Sequence, residues 1–177
     1  MATSILTKAV APAATGVASW AAGTSLTFPI NLPFVGLGTG PTKTTTQVDG
    51  AAISEEFSIG DELHPQWAVP DSADTSINYK LRVHFYINTS EVGKLVSWRM
   101  DVGASNGIAV NTILQTITVA DVPVAAQYFD AHADFVVNSA TVNLGSVDAL
   151  LFKLVRIAST DDPTADPRVH LIEVSEA

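Results

Sequence analysis

Along residues 77–88, INYKLRVHFYIN, apolar and polar side chains alternate without a break. Ile77, Tyr79, Leu81, Val83, Phe85 and Ile87 fall on one side; Asn78, Lys80, Arg82, His84, Tyr86 and Asn88 fall on the other. A period of two is the mark of a strand, here with one buried face and one wetter face. The short connection TSEVG leads to KLVSWRMDV (94–102), where Val96, Trp98, Met100 and Val102 oppose Ser97, Arg99 and Asp101. TILQTITVA (112–120), DFVVNSATVNL (134–144), ALLFKLVRIA (149–158) and RVHLIEVSE (168–176) continue the series of strands. Upstream, Ile53, Phe57 and Ile59 alternate with Ser54, Glu56 and Ser58, broken once by Glu55. Leu150 to Ile157 is apolar on both sides, which places it centrally in a sheet or under a cover on its second face. One segment, DVPVAAQYF (121–129), fits a short helix with Asp121 as N-cap and proline in the first turn, and fits a covered loop equally well.

Successive strands punctuated by Gly, Pro, Asn and Asp, with almost no helix, indicate an all-β sandwich or barrel. The expected fold is a two-sheet β-sandwich of jelly-roll type over residues 41–177, with an extended N-terminal arm and hinge over residues 1–40. An immunoglobulin-like sandwich needs about seven strands in about 100 residues around a Cys–Trp–Cys core. This chain has no cysteine and has longer connections. Leu81, Val83, Phe85, Val96, Trp98 and Leu154 are expected between the two sheets.

The arm carries its own pattern. In SLTFPINLPF (25–34), Leu26, Phe28, Ile30, Leu32 and Phe34 occupy every second position, while Pro29 and Pro33 interrupt the other face. Proline has no N–H for a ladder, so a central strand is excluded. Two readings stay open. Either these five side chains, with Trp20, dock the arm on another surface, or the segment is an edge strand of the chain's own sandwich. Gly36, Gly38 and Gly40 read as a hinge. The first 24 residues are rich in Ala, Thr and Ser; Lys8 and Pro12 interrupt what a secretion signal would keep apolar, so a flexible arm is the better reading.

Composition narrows the function. The 177 residues suit one domain plus an appendage, and an apolar fraction of 47% supports a real core. A formal net charge of −9 disfavours nucleic acid as a partner, because binding it rests on neutralising phosphates. The sequence has no run of 18 apolar residues, so no membrane partner is expected. Without cysteine there is no disulfide framework and no thiol chemistry.

Candidate chemistry is sparse. Among the four histidines none forms the i, i+4 pair of a zinc protease helix, and His84 on a polar strand face reads as surface or interface packing. In DAHAD, an extended Asp130, His132 and Asp134 would project from one face about 7 Å apart at each step. Ligation of a divalent ion is conceivable there, but no further ligands stand at recognisable spacing, so no metal is expected. TDDPTAD (160–166) offers three aspartates to calcium; Asp–Pro pairs nucleate turns, and the turn is the preferred reading. Glu55 and Glu56, or Asp61 and Glu62, are neighbours that a strand points to opposite faces, which argues against a glycosidase pair. Trp98 belongs on the apolar side of its strand; Trp67 is either an exposed aromatic anchor or a buried lid. No catalytic set and no cofactor motif emerges, and the chain is not expected to be an enzyme.

The order of features from Leu63 onward carries a resemblance. W-x-V-P-D (Trp67, Val69, Pro70, Asp71) is followed by the polar turn SADTS, the long strand INYKLRVHFYIN and the tryptophan strand LVSWRMDV. DALLFKLVRIASTDDPTAD then supplies an apolar strand, Arg156 and the Asp-rich turn. Over roughly residues 50 to 177 this resembles the single jelly-roll structural proteins of tailed bacteriophages, in particular capsid decoration (cement) proteins. The resemblance implies a homotrimer on the outer capsid surface of the virion, assembled in the host bacterial cytoplasm. It would clamp neighbouring subunits of the major capsid protein without chemistry. His84 and Tyr86 are then expected near subunit contacts. The alternative is a phage fibre or receptor- or carbohydrate-binding β-sandwich, which predicts exposed aromatics at Trp67, Tyr86 or Tyr128 and a calcium-dependent loop.

Overall fold

A computed structural model describes residues 28–29, 42–46, 52–71, 73–106 and 113–177. Its strands are β1 (Phe28–Pro29), β2 (Thr42–Thr46), β3 (Ala52–Glu56), β4 (Glu62–Leu63), β5 (Gln66–Ala68) and β6 (Tyr79–Tyr86). They continue as β7 (Leu95–Ser105), β8 (Gln115–Pro123), β9 (Ala131–Val137), β10 (Ala149–Ile157) and β11 (Arg168–Glu176). One antiparallel sheet runs β2-β3-β11-β6-β9, with β1 also on β11; the other runs β4-β10-β7-β8, with β5 also on β10. β4 and β5 meet β10 in line, Leu63 opposite Leu154 and Trp67 opposite Leu150, so they act as one strand broken at Pro65. Even there the proline carbonyl accepts from Phe152 N at 3.0 Å, since only its N–H is missing. Counted that way from β3, the sheets read first-eighth-third-sixth and second-seventh-fourth-fifth. That is the order of a jelly roll, in which chain-distant strands become neighbours and the two sheets close over one core.

The alternation of β6 dictates how the sheets meet. Tyr79, Leu81, Val83 and Phe85 turn inward, and all six side chains expected between the sheets are fully buried. Trp98 lies among them with its ring set edge-on to Phe57 at 5.3 Å and to Phe85 at 5.4 Å. β10 is central, between β4/β5 and β7, which explains its apolar residues on both faces. Among the described residues no helix is long and apolar enough to cross a membrane.

Two sequence expectations are corrected. DVPVAAQYF does not open a helix: β8 runs on through Pro123, and Val124 still exchanges backbone bonds with Lys94 and Gly93. Asp121 sits at φ 55°, and its carboxylate accepts from Thr160 N and Thr160 Oγ1, both at 3.1 Å. The N-cap side chain therefore serves a neighbouring loop instead of its own next turn. Strand 134–144 stops at Val137, and the short α-helix α1 (Ser139–Val142) follows. Asn138 caps it by accepting from Thr141 N at 2.9 Å, and Asn143 ends it in the left-handed region at φ 52°.

The Asp-rich segment 160–166 is a turn that closes one end of the sandwich. Asp162 and Asp166 face the buried Arg156, and Asp161 pairs with Lys94 at 2.5 Å. Glu91 anchors the far side of the turn. It accepts from Thr164 N at 2.8 Å, from Ala165 N at 3.0 Å, and from the hydroxyls of Thr164 and Thr89. Backbone N–H groups of Thr164 and Ala165 favour the ionised carboxylate and, against some desolvation, hold it at about 2, below its ordinary 4.5. Because the folded value is depressed, the unfolded chain takes up this proton first as pH falls. The contribution is fully present above about 4.5 and lost as pH approaches about 2. We expect Glu91→Gln to cost about 1–2 kcal/mol at pH 7, with the gap to the unmutated chain narrowing between pH 5 and pH 3 in urea denaturation. A gap that stays constant between pH 7 and pH 3 would show that the carboxylate charge is not what holds the turn.

Candidate functional site

The outer face of the β11-β6-β9 surface carries most of the chain's unabsorbed chemistry. β6 is paired on both edges, with His84 opposite His132 on β9 and opposite Leu171 on β11. β11 shifts register between Val169 and Leu171, so His170 is an extra residue at a bulge. The bulge brings His170 beside His84, with ring centroids 5.9 Å apart. Three of the four histidines thus lie together, and with two tyrosines they form a line of five rings. Along it, Tyr128–Tyr86, Tyr86–His170, His170–His84 and His84–His132 are spaced 6.0, 5.8, 5.9 and 6.1 Å.

Carboxylates set the polarity of this line. Asp130, just before β9, places Oδ2 2.8 Å from His84 Nδ1 and Oδ1 2.9 Å from His170 Nε2. The other nitrogen of His84, Nε2, is 3.3 Å from Glu173 Oε2. Burial pushes the Asp130 carboxyl up, but the hydrogen bonds and charge of His170 and His84 together bring it below its ordinary value. Two residue pairs along, Arg82 donates to Asp134 through Nε at 2.7 Å and Nη2 at 2.8 Å, a two-pronged pair that also lowers the Asp134 carboxyl. Among the described residues, His84, Asp130 and His170 are the group whose ligand atoms converge, all within 4.8 Å of one another.

At one end of the line the surface turns aromatic and exposed. Tyr128 has φ 56°, an uncommon conformation for a bulky residue, and is fixed there by its N–H donating to Ile87 O at 2.8 Å. Tyr128 and Phe129 are each more than half exposed.

The sequence-predicted residues are distributed as follows. His84 is half-buried on this face; Tyr86, read as part of a wetter face, is buried at 8% exposure among Tyr128 and His170. Asp130, His132 and Asp134 do not converge as one set, because Asp134 is engaged by Arg82 and Asp130 turns to His84 and His170. Glu56 is bound by Arg168, and Glu62 by Lys153 at 2.6 Å. Trp67 is a buried lid, 5.0 Å from the Tyr79 ring. Trp20, Leu26, Ile30, Leu32 and Phe34 lie outside the described residues. The backbone at Phe28 and Pro29 pairs with Val174 and Glu173 of the same chain.

The residue that sequence reasoning missed is His170. Burial on β11 falls at Val169, Ile172 and Val174, a change of phase that a strict strand cannot make. That break in the alternation of RVHLIEVSE was the available signal for a bulge.

No protein-family model and no curated protein matches the chain. Among solved structures it is similar to the carbohydrate-binding module CBM6cm-2 from Cellvibrio mixtus lichenase 5A in complex with cellotriose. The identity is 14% and the TM-score 0.44, over 78% of this chain and 88% of that one. It is also similar to the CBM22-1–GH10 modules of Clostridium thermocellum xylanase 10B complexed with xylohexaose. There the identity is 14% and the TM-score 0.43, over 86% of this chain and 28% of that one. A third is from infectious bursal disease virus, Gt strain, with 12% identity and a TM-score of 0.40 over 90% of this chain and 35% of that one.

Proposed function

We propose that this chain is a non-enzymatic structural module of a virion: a capsid decoration protein that binds the outer surface of a phage head. It acts as a homotrimer and clamps neighbouring subunits of the major capsid protein. The observation that carries this reading is the line of five rings on the outer sheet face, ending in exposed Tyr128, which the exposed Phe129 follows in the chain. Histidine and tyrosine spread over an open sheet face suit contact with another protein surface, where aromatic residues are enriched. The charged groups elsewhere serve the fold: Arg156, Glu91 and Asp121 each hold a loop.

The runner-up, a carbohydrate-binding module, asks for an aromatic platform open to a sugar ring. Trp67 and Tyr86 are buried, and of the three aromatics it names only Tyr128 is exposed. The test is to mix the purified chain with capsids of the encoding phage assembled without it, then sediment. The expected result is saturable addition in multiples of three, with a trimeric mass for the free chain. Replacing Tyr128 and Phe129 by serine is expected to weaken capsid binding at least tenfold. A monomer that ignores capsids but binds one glycan saturably on an array would establish the other reading.

A further inference from the structure

We propose that His84, Asp130 and His170 form a binding site for one divalent first-row transition ion, with zinc as the fitting occupant. The donor set comes first. Two imidazoles and one carboxylate suit zinc and its neighbours, whereas calcium and magnesium want oxygen throughout. The three ligand atoms lie within 4.8 Å of one another, and each ring nitrogen is under 3 Å from an Asp130 oxygen. With zinc–ligand bonds of about 2.0–2.2 Å, tetrahedral ligands of one ion stand about 3.3–3.6 Å apart, so side-chain shifts of about an ångström are needed to close the set. Asp130 has the freedom to make them, since its side chain is half exposed and precedes β9.

Glu173 supplies the second reason. Metal-bound histidines almost always give their other N–H to a carboxylate or carbonyl, which fixes the tautomer and the ring orientation. With an ion bound, Glu173 Oε2, 3.3 Å from His84 Nε2, would accept its N–H and leave the Nδ1 lone pair for the ion. The frame is rigid where it has to be: His84 and His170 stand on the paired strands β6 and β11, and the Tyr86 ring lies 5.8 Å from that of His170. Three protein ligands leave one or more positions for water on the solvent side.

This inference goes beyond the capsid reading and is independent of it, because the free chain suffices for the test. The full chain, freed of metal by a chelator, is titrated with zinc chloride by calorimetry. The expected result is one ion per chain at micromolar zinc or tighter. His84→Ala and His170→Ala should each weaken uptake at least tenfold, and Glu173→Gln by 10- to 100-fold. His64→Ala, on the other sheet, should leave uptake unchanged. No uptake by the unmutated chain, or full-strength uptake by either site variant, overturns the site. Should a histidine variant lose its β-sheet circular dichroism, ring ¹⁵N shifts of the unmutated chain decide. Zinc must move those of His84 and His170 and spare His64; any other pattern overturns the site.

Discussion

Truncating Trp98 to alanine is expected to lower the unfolding free energy by about 3–5 kcal/mol. The side chain has no exposed surface and stands between the two sheets, on β7 next to the central strand β10. Its ring contacts Phe57, which follows β3, and Phe85 on β6, so one side chain ties together segments of both sheets. Alanine would leave a void bordered by these rings on a β-sheet scaffold that cannot collapse into it without breaking ladder bonds. Trp98→Phe separates volume from chemistry. Among the described residues the indole Nε1 has no hydrogen-bond partner, so phenylalanine forfeits part of the packing but no hydrogen bond seen there, and should cost less than half as much. Equilibrium urea denaturation followed by circular dichroism measures both. A loss below about 1 kcal/mol for Trp98→Ala would mean that the packing there is loose.

That core was legible in the sequence because alternation is a local property. Val96, Trp98, Met100 and Val102 fall on one side of their strand whatever that strand pairs with. The same logic placed Leu81, Val83 and Phe85. Strand order was less accessible. β11 sits between β3 and β6, and β10 between β4/β5 and β7, so most neighbours are far apart in the chain. The ring line depended on that order. His84 is 46 residues from Asp130, and His170 is 40 residues from it, and only pairing of β6 with β9 and β11 unites them. DAHAD drew attention to Asp130 for a ligand set that strand spacing would have kept apart. The DVPVAAQYF reading failed for a related reason: Asp121 has the chemistry of an N-cap, and the loop it caps belongs to Thr160.

Arg156 is expected to be the second residue whose loss is severe. Replacing it by methionine should cost about 3 kcal/mol or more and loosen the turn 158–167. On β10, residues 150, 152 and 154 point into the core, and Arg156 continues that side at its end, with 2% of its surface exposed. A cation so placed has to be matched by neighbours. Nη1 donates to Phe57 O at 2.8 Å and pairs with Asp166, while Nη2 is 3.5 Å from Asp162. Methionine fills similar volume but leaves the Phe57 carbonyl without this donor and takes the cation away from both aspartates. Asp61, nearby and already raised by burial and by the charge of Asp166, would feel the same loss of positive charge. The aspartates are about a quarter to a third exposed, so water screens part of the repulsion and the lower end of the range for broken buried pairs applies. Lysine keeps the charge without the planar fork, cannot serve Phe57 O and Asp166 together as well, and should fall between methionine and arginine. The variant also has a pH signature. Without the cation, the Asp61 carboxyl, raised by burial and lowered by the charge of Arg156, moves further up, so the folded chain takes its proton before the unfolded one does. The deficit of Arg156→Met should therefore shrink as pH falls through the carboxylate range, opposite to the loss expected from Glu91 in the unmutated chain. Urea midpoints at pH 7 and pH 4 test this. A deficit that grows toward pH 4, or one below about 1 kcal/mol at pH 7, would mean that Arg156 is not what balances this end of the sandwich.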